Sequence, residues 1–415
     1  MDADVVVVGA GLAGLACARR LAAAGRGVVV VESADRVGGR VTTDVVDGFR
    51  CDRGFQLLNP AYPEVPRVVD VDVLDLRPFA AGVVAASGGR RYRLADPRRQ
   101  PGAAWSSLTA PLGGPVEKVA FVRWALRCAR RDVATMLGSD DRTLAEDLDA
   151  AGVAGRLRRG VVDPFLAGVL ADDAGASSAH FAALLVRAFV RGTPSLPARG
   201  MQALPDQLAA GLPAGTVRLG CAASSATATT VATDDGVLTA RAVVVATDPS
   251  TAARLLDLPV PTMRGLTTFW HVADEPPTDL PWLHLDADRR GPLVNSAVVS
   301  NAAPGYAPPG RHLVASTVLG ARGDTDTEQA VRAQLRLVYG ADPRPWELLA
   351  VHEVPEALPA VPPPLEHRRP VRLGDGLFVA GDHRDTASIQ GALVSGRRAA
   401  DAVQAQLRAF GTGGP

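Results

Sequence analysis

The sequence predicts an α/β protein with two parts: a Rossmann-like domain, which has a parallel sheet and a β-meander, and a mixed α+β domain inserted into it. Three observations predict this class. Residues 5–8 are four valines, a short apolar run typical of a strand buried on both faces of a parallel sheet. A glycine-rich turn follows them at once, and a second valine-rich segment at 242–247 ends a run of short strand-like pieces. Long segments with Pro- and Gly-rich turns separate these regions, which favours an inserted second domain.

The glycines after the first strand favour a phosphate-binding turn. Gly9 permits a tight strand-to-helix turn, Gly11 lets the backbone approach a pyrophosphate, and Gly14 lets the new helix lie close to the sheet. Leu12 and Ala13 begin that helix, where free N–H groups and the positive end of the helix dipole both favour an anion. This turn is therefore expected to bind the phosphates of a ligand.

An acidic residue follows the second predicted strand. The valines at 28–31 form this strand, and Glu32 and Ser33 come directly after it. The Glu32 carboxylate can accept hydrogen bonds from ribose hydroxyls, and its charge disfavours a 2′-phosphate. Strand, glycines, helix, second strand and acid occur in the order of the βαβ fingerprint, which predicts a dinucleotide site.

A second glycine turn indicates which dinucleotide is bound. Residues 36–40 read Arg-Val-Gly-Gly-Arg, and a nicotinamide dehydrogenase has no need for such a turn just after the acid. In this pattern the chain resembles the large FAD-dependent family that includes flavin amine oxidases, protoporphyrinogen oxidases and phytoene desaturases. The resemblance implies an FAD gripped from both sides, with Gly38, Gly39 and Arg40 among its contacts.

Later segments extend this resemblance and imply further FAD contacts. Residues 48–57 resemble the segment that passes beneath the isoalloxazine ring, and residues 216–223 and 236–248 resemble the family's β-meander. The contacts that the resemblance implies are Gln56 and Leu57 near the flavin, Ala223 at the adenine, Gly381 and Asp382 at the ribityl or phosphate portion, and Ile389, Gln390 and Ala392 at the start of a helix facing the pyrimidine edge.

Length and motif positions predict a discontinuous division into domains. A single core seldom grows beyond about 250 to 300 residues, and this chain has 415. We assign residues 1–59, 199–250 and 373–410 to the FAD-binding domain, residues 60–198 and 251–372 to a substrate domain, and residues 411–415 to a flexible tail.

The substrate domain is expected to contain an amphipathic helix over residues 116–134, with apolar residues alternating in groups with arginines. Two interpretations remain open: the helix packs on its own domain with its arginine side in water, or it attaches to an acidic membrane surface. The second insert predicts an antiparallel sheet, followed by a surface helix over residues 326–339.

Composition restricts location and partners. The formal net charge is zero, so nucleic-acid binding is not expected. No apolar stretch reaches the roughly 18 residues of a spanning helix, and the acidic start is unlike a secretion signal. Four widely spaced cysteines without a CxxC pattern predict a reduced cytoplasmic enzyme without a metal site, with peripheral membrane contact left open. The last cysteine, Cys221, lies far upstream of the final Gly-rich segment that carries covalent flavin in some relatives, so noncovalent FAD is expected.

Few candidates for a catalytic acid or base are visible. The three candidates are Gln56, His383 and His271. His383 directly follows the Gly-Asp pair, and His271 lies on a strand-like piece. Many amine oxidases of this family place a lysine of the substrate-domain sheet near the flavin, but the one lysine here, Lys118, lies in the first, helical insert. That mechanism is therefore not expected.

The leading hypothesis is an FAD-dependent dehydrogenase or oxidase that transfers a hydride from an apolar, polyene or cyclic, small molecule to flavin N5. Alternatives are a flavin amine oxidase, a redox-neutral isomerase or mutase, and a flavoprotein without turnover. The electron acceptor stays open among oxygen, a quinone and a protein.

Overall fold

The computed structural model describes residues 1–411, with side chains up to Ala409. Within this part of the chain the strands are, in order, β1 (Ala3–Val8), β2 (Val28–Val31), β3 (Thr43–Val46), β4 (Phe49–Asp52), β5 (Leu76–Pro78), β6 (Gly82–Ser87), β7 (Arg90–Ala95), β8 (Ser195–Pro197), β9 (Val217–Arg218), β10 (Ala223–Ala226), β11 (Thr230–Thr233), β12 (Gly236–Val245), β13 (Met263–Ala273), β14 (Leu283–Asp286), β15 (Leu293–Val298), β16 (His312–Leu319), β17 (Glu347–Pro359), β18 (Arg372–Gly374) and β19 (Leu377–Val379).

The same part of the chain also contains α-helices. In chain order they are α1 (Leu12–Ala23), α2 (Val65–Val68), α3 (Val71–Leu74), α4 (Ala104–Thr109), α5 (Pro115–Arg130), α6 (Val133–Leu137), α7 (Leu144–Ala150), α8 (Gly155–Leu157), α9 (Asp163–Leu170), α10 (Ala179–Arg191), α11 (Ala203–Ala210), α12 (Pro249–Leu256), α13 (Val299–Ala302), α14 (Thr325–Tyr339) and α15 (Ile389–Gly411). Gly411 of the predicted tail ends α15, and the rest of that tail lies outside the described residues.

The first sheet has a parallel centre. β1 pairs in parallel with β2 on one side and with β12 on the other, β12 pairs in parallel with β19, and β9 follows β2. The valines of β1 are buried on both faces, as a strand between two layers requires. The antiparallel strands β10, β11 and β12 form the meander. The α/β class with its parallel sheet and meander is thus confirmed.

The second sheet joins the two predicted inserts. Its strand order is β17-β13-β16-β15-β14-β6-β7, so β6 and β7 come from the first insert and the other strands from the second. All neighbours are antiparallel except β14 and β6, which are parallel. Helices α5 to α10 share an apolar cluster with Val83, Ala85 and Leu285 of this sheet. The division of the chain into two domains stays a prediction.

One helix is shorter than predicted. The helix expected over residues 116–134 runs from Pro115 to Arg130, and a separate helix, α6, begins at Val133. The break occurs because the Asp132 side chain accepts a hydrogen bond from the Thr135 N–H and so caps a new helix. Across residues 1–411, no helix combines the length and apolar character needed to cross a bilayer.

Candidate cofactor and substrate site

The glycine-rich turn at the carboxyl end of β1 has the geometry of a ligand cradle. Gly9 has φ of +102°, and a Cβ there would lie 2.8 Å from the Ala246 carbonyl oxygen. A Cβ on Gly14 would overlap the carbonyl oxygen of Gly9, so this glycine lets α1 lie against the turn. At Gly11, by contrast, a Cβ would meet nothing within 4 Å. Gly9 and Gly14 thus serve the fold, whereas Gly11 leaves open space above the start of α1.

Glu32 lies at the carboxyl end of β2 and is held by backbone groups. Its carboxylate accepts hydrogen bonds from the N–H of Ala10 at 2.7 Å and of Ala34 at 3.0 Å, and from the Ser33 hydroxyl at 3.3 Å. These contacts fix the carboxylate beside the glycine turn. Glu32 lines the same cavity as Gly11.

An ion pair joins the second glycine turn to the Gly-Asp pair near the C-terminus. Arg40 donates through Nη2 to Asp382 Oδ1 at 2.6 Å and through Nη1 to the Ala357 carbonyl at 2.8 Å. The Asp382 side chain is 5% exposed, and although burial opposes the charged guanidinium, the Asp382 charge leaves the pKa of Arg40 raised. The second glycine turn is therefore fastened to the C-terminal Gly-Asp pair.

One cavity of about 670 Å³ collects these residues. Of the predicted cofactor residues, those that line it are Gly9, Gly11, Leu12, Ala13, Glu32, Ser33, Gly38, Gly39, Arg40, Gln56, Leu57, Ala223, Gly381, Asp382, Ile389 and Ala392. Gly14 lies behind the turn, in its predicted packing role. Gln390 is not on the cavity lining, and its side chain accepts the Glu64 N–H at 2.9 Å, so a contact with FAD through its backbone stays a prediction.

Two buried polar atoms on the cavity wall lack a partner among the described residues. Gln56 donates through Nε2 to the carbonyls of Arg40 and Arg53, but its Oε1 has no hydrogen bond. Asn59 accepts the Ala61 N–H, but its Nδ2 has none. Buried polar groups are normally paired, so both atoms indicate a polar ligand beside them. Together with the open space at Gly11, they fit an FAD in this cavity.

Another part of the cavity lining consists of apolar residues of α9, α10 and the second sheet. We call it the apolar half, and its wall consists of Phe165, Val169, Leu185, Phe189, Leu266, Leu283, Val354 and Leu358. Its polar residues are Tyr62 and Asn295. Burial raises the pKa of Tyr62 to about 12, so the phenol stays neutral and can donate a hydrogen bond.

None of the residues that we assign to the apolar half is charged. Among the described residues that line the cavity, the acids are Glu32, Asp248 and Asp382, and all three follow strands of the first sheet. Lys118 is not on the lining: its Nζ donates to the carbonyls of Leu108 and Ala110 on the outside of the helical layer. The apolar half can therefore enclose an uncharged molecule and keep water from it.

Neither predicted histidine reaches the cavity. His271 is fully buried on β13 and its Nε2 lies 2.8 Å from Glu328 Oε1 of α14, a contact that joins a helix to the sheet. The ring of His383 packs behind the turn at Gly381, and burial lowers its pKa to about 4, so it is neutral. The structure thus places both histidines off the cavity lining, and of the three candidates Gln56 alone lies on it.

The sequence analysis did not identify the residues of the apolar half, nor two cavity residues that follow β12. Thr247 and Asp248 line the cavity after β12, and the carboxyl end of a central parallel strand is a signal that could have identified them. Tyr62 and Asn295 carried no such signal. A Cβ on Gly168 would overlap Asn295 Nδ2, so this glycine of α9 makes room for the amide.

Comparisons with known proteins agree with this architecture. Residues 12–404 match the model of the flavin-containing amine oxidoreductase family. The chain is 51% identical over 70 residues to a putrescine oxidase of Kocuria rosea, which is 17% of this chain and 15% of that protein. It is 35% identical over 74 residues to the chloroplast protoporphyrinogen oxidase of Nicotiana tabacum, 18% of this chain and 14% of that protein. These matches therefore span only about a seventh of the relatives' lengths.

A solved structure of putrescine oxidase bound to putrescine superposes with a TM-score of 0.72 at 20% identity, over 98% of this chain and 99% of that one. The likeness extends the fold to nearly the whole length. The chain belongs to the flavin-containing amine oxidoreductase family. That family consists of flavin-containing oxidoreductases, which agrees with the FAD that the sequence predicts.

Proposed function

We propose that this enzyme oxidises an uncharged, largely apolar small molecule by hydride transfer to FAD. The observation that carries the proposal is the apolar half of the cavity, where the described lining residues include no carboxylate and no lysine. An oxidisable C–H group can be placed there in a dry environment, as hydride transfer requires. When bound, FAD supplies the hydride acceptor at N5.

A charged amine would fit this wall poorly. Moving an ammonium group from water into an apolar enclosure costs several kcal/mol unless a carboxylate or several hydrogen-bond acceptors replace the water. Tyr62 is a neutral phenol and Asn295 a neutral amide, so the two can orient a polar substituent but cannot neutralise a positive charge. The wall therefore favours a neutral substrate with one polar group.

The proposed roles in cofactor binding follow from position. The start of α1 beside Gly11 would receive the pyrophosphate, and Glu32 the ribose hydroxyls. Ala223 would meet the adenine. The unpaired Gln56 Oε1 lies on the same wall and could accept a hydrogen bond from the cofactor. The start of α15 at Ile389 would direct N–H groups towards the pyrimidine edge, where they stabilise negative charge on the reduced flavin.

Amine oxidation is the second candidate, and one observation favours it. The local match to the Kocuria putrescine oxidase reaches 51% identity. This match covers 17% of the chain, whereas the substrate wall is spread from Tyr62 to Leu358. We therefore place amine oxidation second.

Anaerobic reduction of the purified enzyme tests the choice. The visible spectrum before and after acid precipitation first establishes that released, noncovalent FAD is present. Stopped-flow mixing without oxygen then measures the rate of flavin bleaching. Neutral cyclic and polyene compounds are compared with putrescine and other amines. Fast bleaching by a neutral compound supports the proposal. Fast bleaching by amines alone would replace it with the second candidate, and reoxidation by oxygen or by a quinone identifies the acceptor.

A further inference from the structure

A second surface of the molecule is apolar without being buried. Five large apolar side chains of α4 and α5 are between 53% and 81% exposed. They are Trp105, Leu108, Val116, Val119 and Val122, and we call them the α4–α5 surface. Isolated exposed apolar residues are ordinary, but five on two adjacent helices form a patch of the kind that marks an interaction site.

The three valines lie on one side of α5, and α4 ends beside the start of that helix. Val116, Val119 and Val122 recur at intervals of three along α5, which places them on one side of the helix. Lys118 of the first turns of α5 donates to the carbonyls of Leu108 at 2.6 Å and of Ala110 at 2.8 Å, and this holds the end of α4 beside the start of α5.

The opposite side of α4 is tied to the sheet. Ser106 Oγ accepts the Arg93 N–H at 3.1 Å, and Ser107 Oγ accepts the Ala95 N–H at 3.0 Å. With these serines fixed against β7, Trp105 turns outwards. The patch is therefore part of the folded structure and not a frayed end.

The same face of α5 becomes basic towards its C-terminus. Arg123, Arg127 and Arg130 are exposed, and Arg123 and Arg130 make no ion pair with any residue in the described part of the chain. The one acid of α4 and α5 is Glu117, which turns inwards to accept the Leu157 N–H at 3.0 Å. A tryptophan and aliphatic side chains beside unpaired arginines are the composition of helices that lie in a membrane interface.

We propose that the α4–α5 surface binds the anionic face of a phospholipid bilayer. The apolar side chains would enter the boundary between headgroups and acyl chains, and Arg123 and Arg130 would contact lipid phosphates. A second copy of the chain fits this surface less well. In an isologous two-fold contact this surface would meet itself, and it offers no carboxylate for Arg123 and Arg130 because Glu117 turns inwards.

The position of this surface connects it with the cavity. Arg187 of α10 donates to the carbonyls of Ala129 and Arg131, at 2.9 Å each, so α10 packs directly behind α5. Leu185 and Phe189 of the same α10 line the apolar half. One helix thus separates the proposed membrane contact from the substrate wall. That a lipid-dissolved substrate enters from the bilayer rests on the proposed function, whereas the membrane contact itself does not.

Vesicle co-sedimentation with the FAD-loaded enzyme tests the contact. The probes are vesicles of phosphatidylcholine alone and of phosphatidylcholine mixed equally with phosphatidylglycerol. We expect binding to the mixed vesicles, weakening as salt is added. The double variant Trp105→Ser/Val119→Ser should bind at least roughly tenfold more weakly. The double variant Arg123→Gln/Arg130→Gln should lose about 30-fold on mixed vesicles.

Matched controls come from exposed residues elsewhere. Val237 is 64% exposed on β12, and Arg336 is exposed on α14. Val237→Ser and Arg336→Gln should leave binding unchanged, and flavin content and unfolding temperature verify that every variant is folded. Absence of wild-type binding to both vesicle types overturns the proposal, as does an equal loss in the controls. A lipid-free dimer that dissociates on Trp105→Ser in analytical ultracentrifugation would assign the surface to a second copy. Wild-type binding that is insensitive to salt would remove the role of the arginines, and none of these readouts depends on finding a substrate.

Discussion

The glycine turn allows cofactor binding and folding to be separated by two substitutions of the same chemistry. Gly11→Ala and Gly14→Ala each add one methyl group, at positions that are three residues apart. At Gly11 that methyl group enters open cavity space, whereas at Gly14 it overlaps the Gly9 carbonyl oxygen and lies 3.4 Å from the Ala246 side chain. The first change should therefore act on FAD and the second on the packing of α1 against the sheet.

The magnitudes follow from these contacts. Gly11 is the N-cap of α1 with φ of −72° and ψ of 178°, which alanine adopts readily, so the loss in unfolding free energy of the apoprotein should be about 0.5 kcal/mol. If the pyrophosphate occupies the open space, the methyl group overpacks the site by about 3 kcal/mol, a loss in FAD affinity of roughly 100-fold. Gly14→Ala must displace backbone, and should cost the apoprotein roughly 3 kcal/mol.

Two measurements distinguish the effects: FAD titration by calorimetry, and denaturant unfolding of the apoproteins. The expected pattern is a stable Gly11→Ala apoprotein with weak FAD binding, beside a destabilised Gly14→Ala apoprotein. Wild-type FAD affinity in Gly11→Ala would refute the placement of the phosphates. Wild-type apoprotein stability in Gly14→Ala would refute the packing argument.

Three further predictions address other parts of the molecule. Glu32→Ala should weaken FAD binding by roughly 1.5 to 3 kcal/mol for each charged hydrogen bond lost, measured by the same titration, with Glu32→Gln retaining part of the affinity. Gly168→Ala should displace the Asn295 amide, raising KM or lowering kcat for the substrate by roughly tenfold while FAD content stays at the wild-type level; unchanged kinetics would exclude Asn295 from substrate contact. Burial raises the pKa of Asp52 from 3.8 to about 6 although Thr43, Met201 and Tyr306 donate hydrogen bonds to it. Because the folded state then holds this proton more tightly than the unfolded state, the stabilisation is complete below pH 3.8 and is lost as the pH rises to about 6, on the order of 3 kcal/mol. Asp52→Asn should flatten that part of the stability curve, and an unchanged slope in denaturant titrations would contradict the assignment.

The cofactor side of the molecule was predictable because its signals are local. A positive φ at Gly9, the close approach at Gly14 and the acid at the end of β2 are requirements of single positions a few residues apart. At Gln390 the sequence did not indicate where the side chain lies. A helix start can be located from sequence, but the direction of each side chain depends on what packs beside it, here the Glu64 backbone.

For the histidines, too, the sequence does not indicate what the side chain packs against. His271 lies on a predicted strand piece, but the face of that strand that meets α14 is decided by the pairing of β13 with β16 and β17. On α5, the valines that a period of 3.6 would assign to a buried stripe are exposed, while Trp124 and Cys128 are buried. Periodicity identifies an amphipathic helix without saying which of its apolar residues find a partner.

The sequence by itself determined the α/β class, the FAD turn and the family, because backbone constraints and phosphate recognition are encoded by few residues at fixed spacing. The tertiary structure decided the substrate side. Its wall is assembled from Tyr62, α9, α10 and four strands of the second sheet, segments far apart in the chain. Their leucines, valines and phenylalanines are chemically the same as those of the core, and folding alone determines which of them face a cavity.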